Sequence, residues 1–227
     1  MIYILVVLIV LTSILFINNF VFKKDDIATS YKKNDQIIYV DLIEQTLLLY
    51  DLGEHKNIRE YNVAVGKYTT PSPIGEFIVT SKEKWGEGFG TRFIGINVPW
   101  GKYGIHGTDN PNSIGWASSH GCIRMRNEDV EELYDLINVG MTVIIDGGPF
   151  GPFGERLRYL KPGDRGSDVY EIQKRMKSMN CYPYSLTGIY DENMKKCVLK
   201  FQEKNQMYKS HYINKEFYVK LGIELFE

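Results

Sequence analysis

The chain has 227 residues, 44% apolar and 24% charged, a composition that excludes a disordered polypeptide and suits one large domain or two small ones. Its net charge of −1 removes any whole-chain electrostatic case for nucleic-acid binding. The charge is uneven: residues 155–227 carry 14 Lys+Arg against 10 Asp+Glu, the remainder 13 against 18, so a modestly basic tail follows an acidic body.

Residues 1–22 differ in kind from the rest of the chain. Positions 2–22 are uncharged and strongly apolar, broken by Thr12, Ser13, Asn18 and Asn19. At roughly 1.5 Å of rise per residue such a helix crosses a bilayer core of about 30 Å. It shows no polar face, as a helix packed in a soluble core would. The start lacks Lys and Arg and no A-x-A site follows, so an uncleaved transmembrane anchor is expected rather than a cleaved signal. Lys23 and Lys24 lie after the span, so charge asymmetry alone would put the bulk of the chain in the cytoplasm. Residues 23–35 are polar and read as a tether.

Strand signals begin at 36. Ile37-Ile38-Tyr39-Val40-Asp41-Leu42 and Thr46-Leu47-Leu48-Leu49-Tyr50-Asp51-Leu52, with Glu44-Gln45 between them, predict a hairpin. Strands are also expected at 61–65, 77–80, 93–98, 103–106 and 142–146, with Pro71-Ser72-Pro73-Ile74-Gly75 as loop or edge, since proline cannot donate to a central ladder. One helix interrupts them: Val130, Leu133, Tyr134 and Ile137 share a face, Asn127 is placed to cap it, and Gly140 follows it. The Gly-rich stretch 82–91, with Trp85 and Phe89, is a candidate lid. Residues 148–157 are a Gly- and Pro-rich linker. Helical spacing comes next: Val169, Ile172, Met176 and Met179, capped by Ser167 or Asp168; Met194, Cys197, Val198 and Phe201, capped near Asp191; and a short helix over 214–221. The expected fold is therefore a mainly β domain over 36–147 with one packed helix, and a small three-helix all-α domain over 158–227.

The chemistry concentrates in His106-Gly107-Thr108 and Ser118-Ser119-His120-Gly121-Cys122-Ile123-Arg124. Two of the four histidines lie within the 16 residues before one of only three cysteines. Nucleophilic catalysis by cysteine needs a thiolate, a nearby imidazole, a group that orients the imidazole, and donors for an oxyanion. Gly107 and Gly121 let backbone approach a substrate. Arg124, two residues past Cys122, shares its face on an extended segment. A cysteine alone is most often a small buried hydrophobe. A zinc site is disfavoured because there is no C-x-x-C and no evident fourth ligand. The residues by themselves leave a catalytic Cys–His pair and a structural cysteine both open.

The same residues resemble a known family. His106-Gly107-Thr108 followed by Ser119-His120-Gly121-Cys122-Ile123-Arg124-Met125 resembles the signature of the L,D-transpeptidase catalytic domain, also called YkuD. Ile38-Tyr39-Val40-Asp41-Leu42, Tyr61-Asn62-Val63-Ala64-Val65-Gly66 and Thr70-Pro71-Ser72-Pro73-Ile74-Gly75-Glu76-Phe77 extend the likeness over 36–147. One departure is Arg124, where many members carry Asn. The resemblance implies a β-sandwich or barrel and an exported cysteine acyltransferase without cofactor or metal, joining peptidoglycan stem peptides. In it Cys122 is the nucleophile and His106 the base, oriented by the Gly107 carbonyl. The Gly121 and Cys122 amides form an oxyanion hole, Ser119 holds the loop, His120 lines the site, and Arg124 binds a stem carboxylate or is structural. Carbapenems are expected to acylate Cys122. Leu160-Lys161-Pro162-Gly163-Asp164-Arg165-Gly166-Ser167-Asp168-Val169, Ile172-Gln173, Thr187-Gly188-Ile189-Tyr190-Asp191 and Val198-Leu199-Lys200-Phe201-Gln202 resemble the three-helix peptidoglycan-binding domain, which implies contact with wall glycan. Peptidoglycan as substrate places 36–227 on the outer face of the cytoplasmic membrane, against the charge reading of Lys23 and Lys24. The rival functions are an L,D-carboxypeptidase or other wall Cys–His peptidase, and a non-catalytic wall-binding protein. Cys181 and Cys197 are candidates for a disulfide, with two buried thiols as the alternative.

Overall fold

The computed structural model describes residues 36–86, 90–154 and 156–223. The expected anchor and tether, 1–35, lie outside these, and no helix among the described residues is long and apolar enough to cross a membrane. The strands are β1 (Gln36–Asp41), β2 (Thr46–Asp51), β3 (Lys56–Asn62), β4 (Val65–Gly66), β5 (Gly75–Lys84), β6 (Arg92–Ile96), β7 (Tyr103–His106), β8 (Ala117–Ser119), β9 (Ile123–Arg124) and β10 (Thr142–Asp146). The helices are α1 (Asn127–Leu136), α2 (Ser167–Ser178), α3 (Glu192–Lys204) and α4 (Lys215–Lys220).

The β part is one curled sheet rather than two stacked ones. Eight strands run in the order β3-β2-β1-β10-β5-β6-β7-β9, and β4 and β8 form a separate pair. Within the large sheet the β1/β10 and β7/β9 ladders are parallel and the remaining neighbours antiparallel. The curl brings the two edges together: Ala64, just past β3, donates to the Arg124 carbonyl on β9 at 2.8 Å and accepts from its amide at 2.9 Å. Alternation along the strands sends Ile38, Val40, Leu47, Leu49, Ile94, Ile105 and Ile123 into one core, which Val130 and Leu133 of α1 cover. Strand β3 is longer than its apolar pattern suggests, because Lys56–Glu60 is an exposed edge held by pairing with β2 rather than by burial.

Two local expectations need correction. Asn127 does not cap α1. Arg126 is the capping position and makes no side-chain cap bond, while Asn127 Oδ1 accepts from the Thr91 amide at 3.2 Å. The candidate lid begins later than its composition suggests, since Lys82–Lys84 continue β5 in pairing with β6. Its tip, 87–89, lies outside the described residues.

A second apolar core holds the helical segment, with Val169, Ile172, Met176, Met194, Val198, Phe201 and Phe217 buried. Asp191 and Asn214 cap α3 and α4 by accepting from Met194 N and Phe217 N. At α2 the capping position is Gly166, not Ser167 or Asp168, and Met179 is exposed beyond the helix end. Ser167 Oγ instead accepts from Ile74 N at 2.7 Å, and Asp168 pairs with Arg158 at 2.6 Å, so both side chains tie the segment to the chain before it. The segment also meets the sheet through Trp100. Arg165 Nη1 donates to the Trp100 carbonyl at 3.5 Å, Tyr170 lies 5.8 Å from the indole between ring centres, and Gly188 (φ +66°) faces the indole where a Cβ would collide. Beside this joint a cavity of about 520 Å³ is lined by Tyr39, Glu76, Trp100, Asp146, Tyr170 and Lys174. Cys122, Cys181 and Cys197 are all free thiols.

Gln173 is fully buried on α2. Its Oε1 accepts from Thr187 N at 2.9 Å and Gly188 N at 2.8 Å, and its Nε2 donates to the Ile189 carbonyl at 2.9 Å. Gln173→Leu leaves the buried Gly188 amide and the half-buried Thr187 amide unpaired, and the Ile189 carbonyl with only Thr187 Oγ1 at 3.5 Å. Loss of stability of roughly 2–3 kcal/mol in urea unfolding is expected, since each unpaired buried group costs about 1–3 kcal/mol. An unchanged unfolding midpoint would show that the turn finds other partners.

Candidate active site

Strands β7 and β9 fix the site by their register. Ile105 pairs with Ile123 and His106 with Arg124, in parallel. One step back along the ladder sets Cys122 opposite Gly104. Side chains directly opposite share a face, so His106, Cys122 and Arg124 project from the same side of the sheet, while Ile105 and Ile123 enter the core. Phe93 on β6 pairs with His106 and Gly95 with Gly104, so this face also carries the Phe93 ring, 6.3 Å from the imidazole between centres. Gly104 has no room for a Cβ beneath Phe93.

His106 is 5% exposed. Its Nδ1 lies 2.6 Å from the carbonyl oxygen of Gly107. A carbonyl can only accept, so Nδ1 carries the proton and Nε2 is the basic nitrogen. Gly107 itself is pinned: its amide donates to Arg92 O at 3.1 Å, and a Cβ there would collide with Asn127 Oδ1. Asn127 Oδ1, which accepts from the Thr91 amide, thus packs closely against Gly107.

The loop that carries Cys122 is built on Ser119, which is fully buried. Its hydroxyl donates to the Cys122 carbonyl at 2.6 Å and accepts from the Gly121 amide at 2.9 Å. Its carbonyl accepts from Lys67 N at 3.0 Å and Thr70 Oγ1 at 3.1 Å. Gly121, at φ +114°, adopts a backbone that side chains disfavour and lies against the Tyr103 ring. The Gly121 amide, expected to form an oxyanion pair with that of Cys122, thus donates to Ser119 Oγ in this structure. His120 is exposed at the loop's tip.

Burial raises the Cys122 thiol above the ordinary cysteine range, while a backbone hydrogen bond at Gly104 and the charges of Arg124 and Lys102 pull it down. The sequence pattern does not single out Gly104, Lys102 or Tyr103. No motif marks them, and only the ladder brings them to the cysteine. Among the described residues Arg124 makes no ion pair.

A model of the L,D-transpeptidase catalytic domain, YkuD, matches residues 35–145. The YkuD protein of Bacillus licheniformis, which bears the name L,D-transpeptidase, is 42% identical over 109 residues, covering 48% of this chain and 64% of that protein. The similarly named YqjB of Bacillus subtilis is 38% identical over 123 residues, covering 47% of this chain and 70% of YqjB. The matches to the two YkuD relatives span 64% and 54% of their lengths, less than two thirds of each. The NMR structure of the catalytic domain from the E. faecium L,D-transpeptidase is 30% identical, covers 51% of this chain and 99% of that one, and superposes with a TM-score of 0.43.

The geometry makes two outcomes testable. Ser119→Ala removes both bonds that close the loop and leaves the Gly121 amide and Cys122 carbonyl unpaired. It is expected to cost roughly 1–3 kcal/mol of stability and to slow Cys122 alkylation or acylation, whereas Ser119→Thr keeps the hydroxyl; equal behaviour of the two variants would contradict the role. Because burial raises the thiol, its thiolate fraction at pH 7 is below that of a free cysteine of pKa about 8.5. Iodoacetamide labelling of Cys122, followed by peptide mass spectrometry, is therefore expected to keep accelerating above pH 9. A plateau below pH 8 would contradict the raised pKa.

Proposed function

This chain belongs to the YkuD family of L,D-transpeptidase catalytic domains, and we propose that it is a cysteine acyltransferase that cross-links peptidoglycan stem peptides through their third residues. The observation that carries this reading is the pairing of His106 with Arg124, which sets an imidazole whose basic nitrogen is Nε2 on the same sheet face as the Cys122 thiol. Cys122 Sγ attacks the carbonyl of the donor's third residue as His106 takes the thiol proton. The tetrahedral oxyanion is met by the Cys122 amide, a donor typically worth about 3–4 kcal/mol. His106 then returns the proton to the leaving nitrogen, D-alanine departs, and a thioester remains. The side-chain amine of a second stem attacks the thioester, losing its proton to His106, and the new amide releases Cys122.

The raised thiol suits this order of events, because an uncharged cysteine needs its base at the moment of attack. Arg124, half-buried on the reacting face, is the candidate partner for a stem carboxylate. If water replaces the acceptor amine the same site acts as an L,D-carboxypeptidase, and analysis of products separates the two. The apolar run at 2–22 supports anchoring at the outer face of the cytoplasmic membrane, with the helical segment holding wall glycan as its resemblance implies.

Cys122→Ala is expected to abolish both acyl-enzyme formation and the carbapenem adduct seen by intact-protein mass spectrometry. His106→Ala is expected to keep the thiol but lower the acylation rate by roughly 10²–10⁴, the usual worth of a general base. Full cross-linking activity in Cys122→Ala would sink the reading. A wall-binding protein without catalysis would bind sacculi in both variants and form no adduct even as wild type.

A further inference from the structure

Lys102 immediately precedes β7 and has the parity of Gly104 and His106, so it belongs to the reacting face. Its ammonium lies 5.3 Å from the Trp85 ring and 5.5 Å from the Phe93 ring between Nζ and centroid. Those two rings are stacked, 4.1 Å apart and 6° from parallel, and Trp85 is itself held by an indole hydrogen bond to Glu83 at 2.8 Å. The aromatic stack therefore positions a cation on the Phe93 side of the nucleophile, where Phe93 overlies Gly104. Among the described residues Glu83 is an acidic group whose charge acts on Lys102, but its two oxygens accept from Ser81 Oγ at 3.0 Å and Trp85 Nε1, and Lys102 makes no ion pair.

Along the strand the order is Lys102, then Cys122 at the level of Gly104, then His106 with Arg124. Two residues of strand separate Lys102 from the nucleophile's level, roughly 6–7 Å. His106 must reach the leaving nitrogen to protonate it, so the leaving residue departs on the His106 and Arg124 side. The retained acyl part of the donor then runs the other way, over Lys102.

We propose that Lys102 is a specificity-determining residue that recognises a carboxylate on the acyl part of the donor, upstream of the scissile carbonyl, while Arg124 serves the leaving side. This rests on the transpeptidase reading of the site. The two cations bracket Cys122, so the site selects anionic acyl donors by charge at both ends. The positive charge of Lys102 also pulls the Cys122 thiol down against its burial, which places the ammonium within electrostatic reach of the sulfur.

One test needs no substrate. Cys122 is alkylated with anionic iodoacetate and with neutral iodoacetamide, and the rate ratio is read by peptide mass spectrometry in wild type, Lys102→Gln and Lys102→Arg, with thermal midpoints as the folding check. A unit charge removed at this range is expected to lower the ratio in Lys102→Gln by roughly fivefold, with Lys102→Arg close to wild type and the effect fading in high salt. An unchanged ratio in Lys102→Gln overturns the proposal. The second test uses two pairs of tetrapeptide donors, one pair differing only in whether the acyl-side carboxylates are free or amidated and the other only in whether the leaving residue's carboxylate is. Wild type is expected to show a severalfold lower KM for the free acid of the first pair, and Lys102→Gln to lose that preference while keeping discrimination at the leaving residue's carboxylate. Loss of discrimination at the leaving residue instead, or an equal rise in KM for both donors of the first pair, overturns the assignment. If wild type turns over none of these donors, the transpeptidase reading fails, and the alkylation ratio still decides whether Lys102 attracts anions to Cys122.

Discussion

The parallel pairing of β7 with β9 is the constraint on which the site depends. Two short strands, four and two residues long, meet in a register that sets His106 beside Arg124 and leaves Cys122 facing Gly104. A one-residue slip would turn Ile105 and Ile123 out of the core and bury the imidazole in their place. The apolar demand of the core therefore enforces the placement of His106, Cys122 and Arg124 on the opposite face. The mutual bonds between Ala64 and Arg124 lock the same strand from its other side, where the curled sheet meets itself.

Around that register, backbone groups and one buried hydroxyl hold the candidate site residues. The Gly107 carbonyl sets the tautomer of His106, and the buried Ser119 hydroxyl closes the loop that carries Cys122. Glycine recurs at these points for steric reasons. A Cβ on Gly107 would strike Asn127, one on Gly104 would strike Phe93, and one on Gly121 would strike Tyr103. The Gly121 amide is spent on closing that loop, through its bond to Ser119 Oγ.

The helical segment is organised by polar groups buried in its interior. Gln173 and Gln202 each use both ends of the amide to hold a loop: Gln173 binds 187–189, and Gln202 accepts from Ser210 N and donates to the Tyr212 carbonyl at 2.9 Å. These contacts make the two glutamines a scaffold for the loops of the segment. The segment's Gly188 turn rests on Trp100, a buried member of the sheet's own core.

The sequence by itself determined the candidate site residues and the longer elements. His106, Cys122 and their glycines stand out by type and spacing, and alternation or helical spacing marks the longer strands and the helices, because each depends on local pattern; the short strands β4, β8 and β9 carry no such pattern and were not expected. It did not determine edge strand β3, whose Lys56–Glu60 stretch has no apolar pattern and exists only through pairing. Nor could it assign Asn127, whose side chain suits a cap but finds a better-placed donor on a loop 36 residues away. The commitment of the Gly121 amide, the stack that holds Lys102 and the neighbours of Cys122 were decided by tertiary structure alone. Each arises where strands distant in sequence become adjacent, and adjacency across a ladder leaves no periodic trace in the chain.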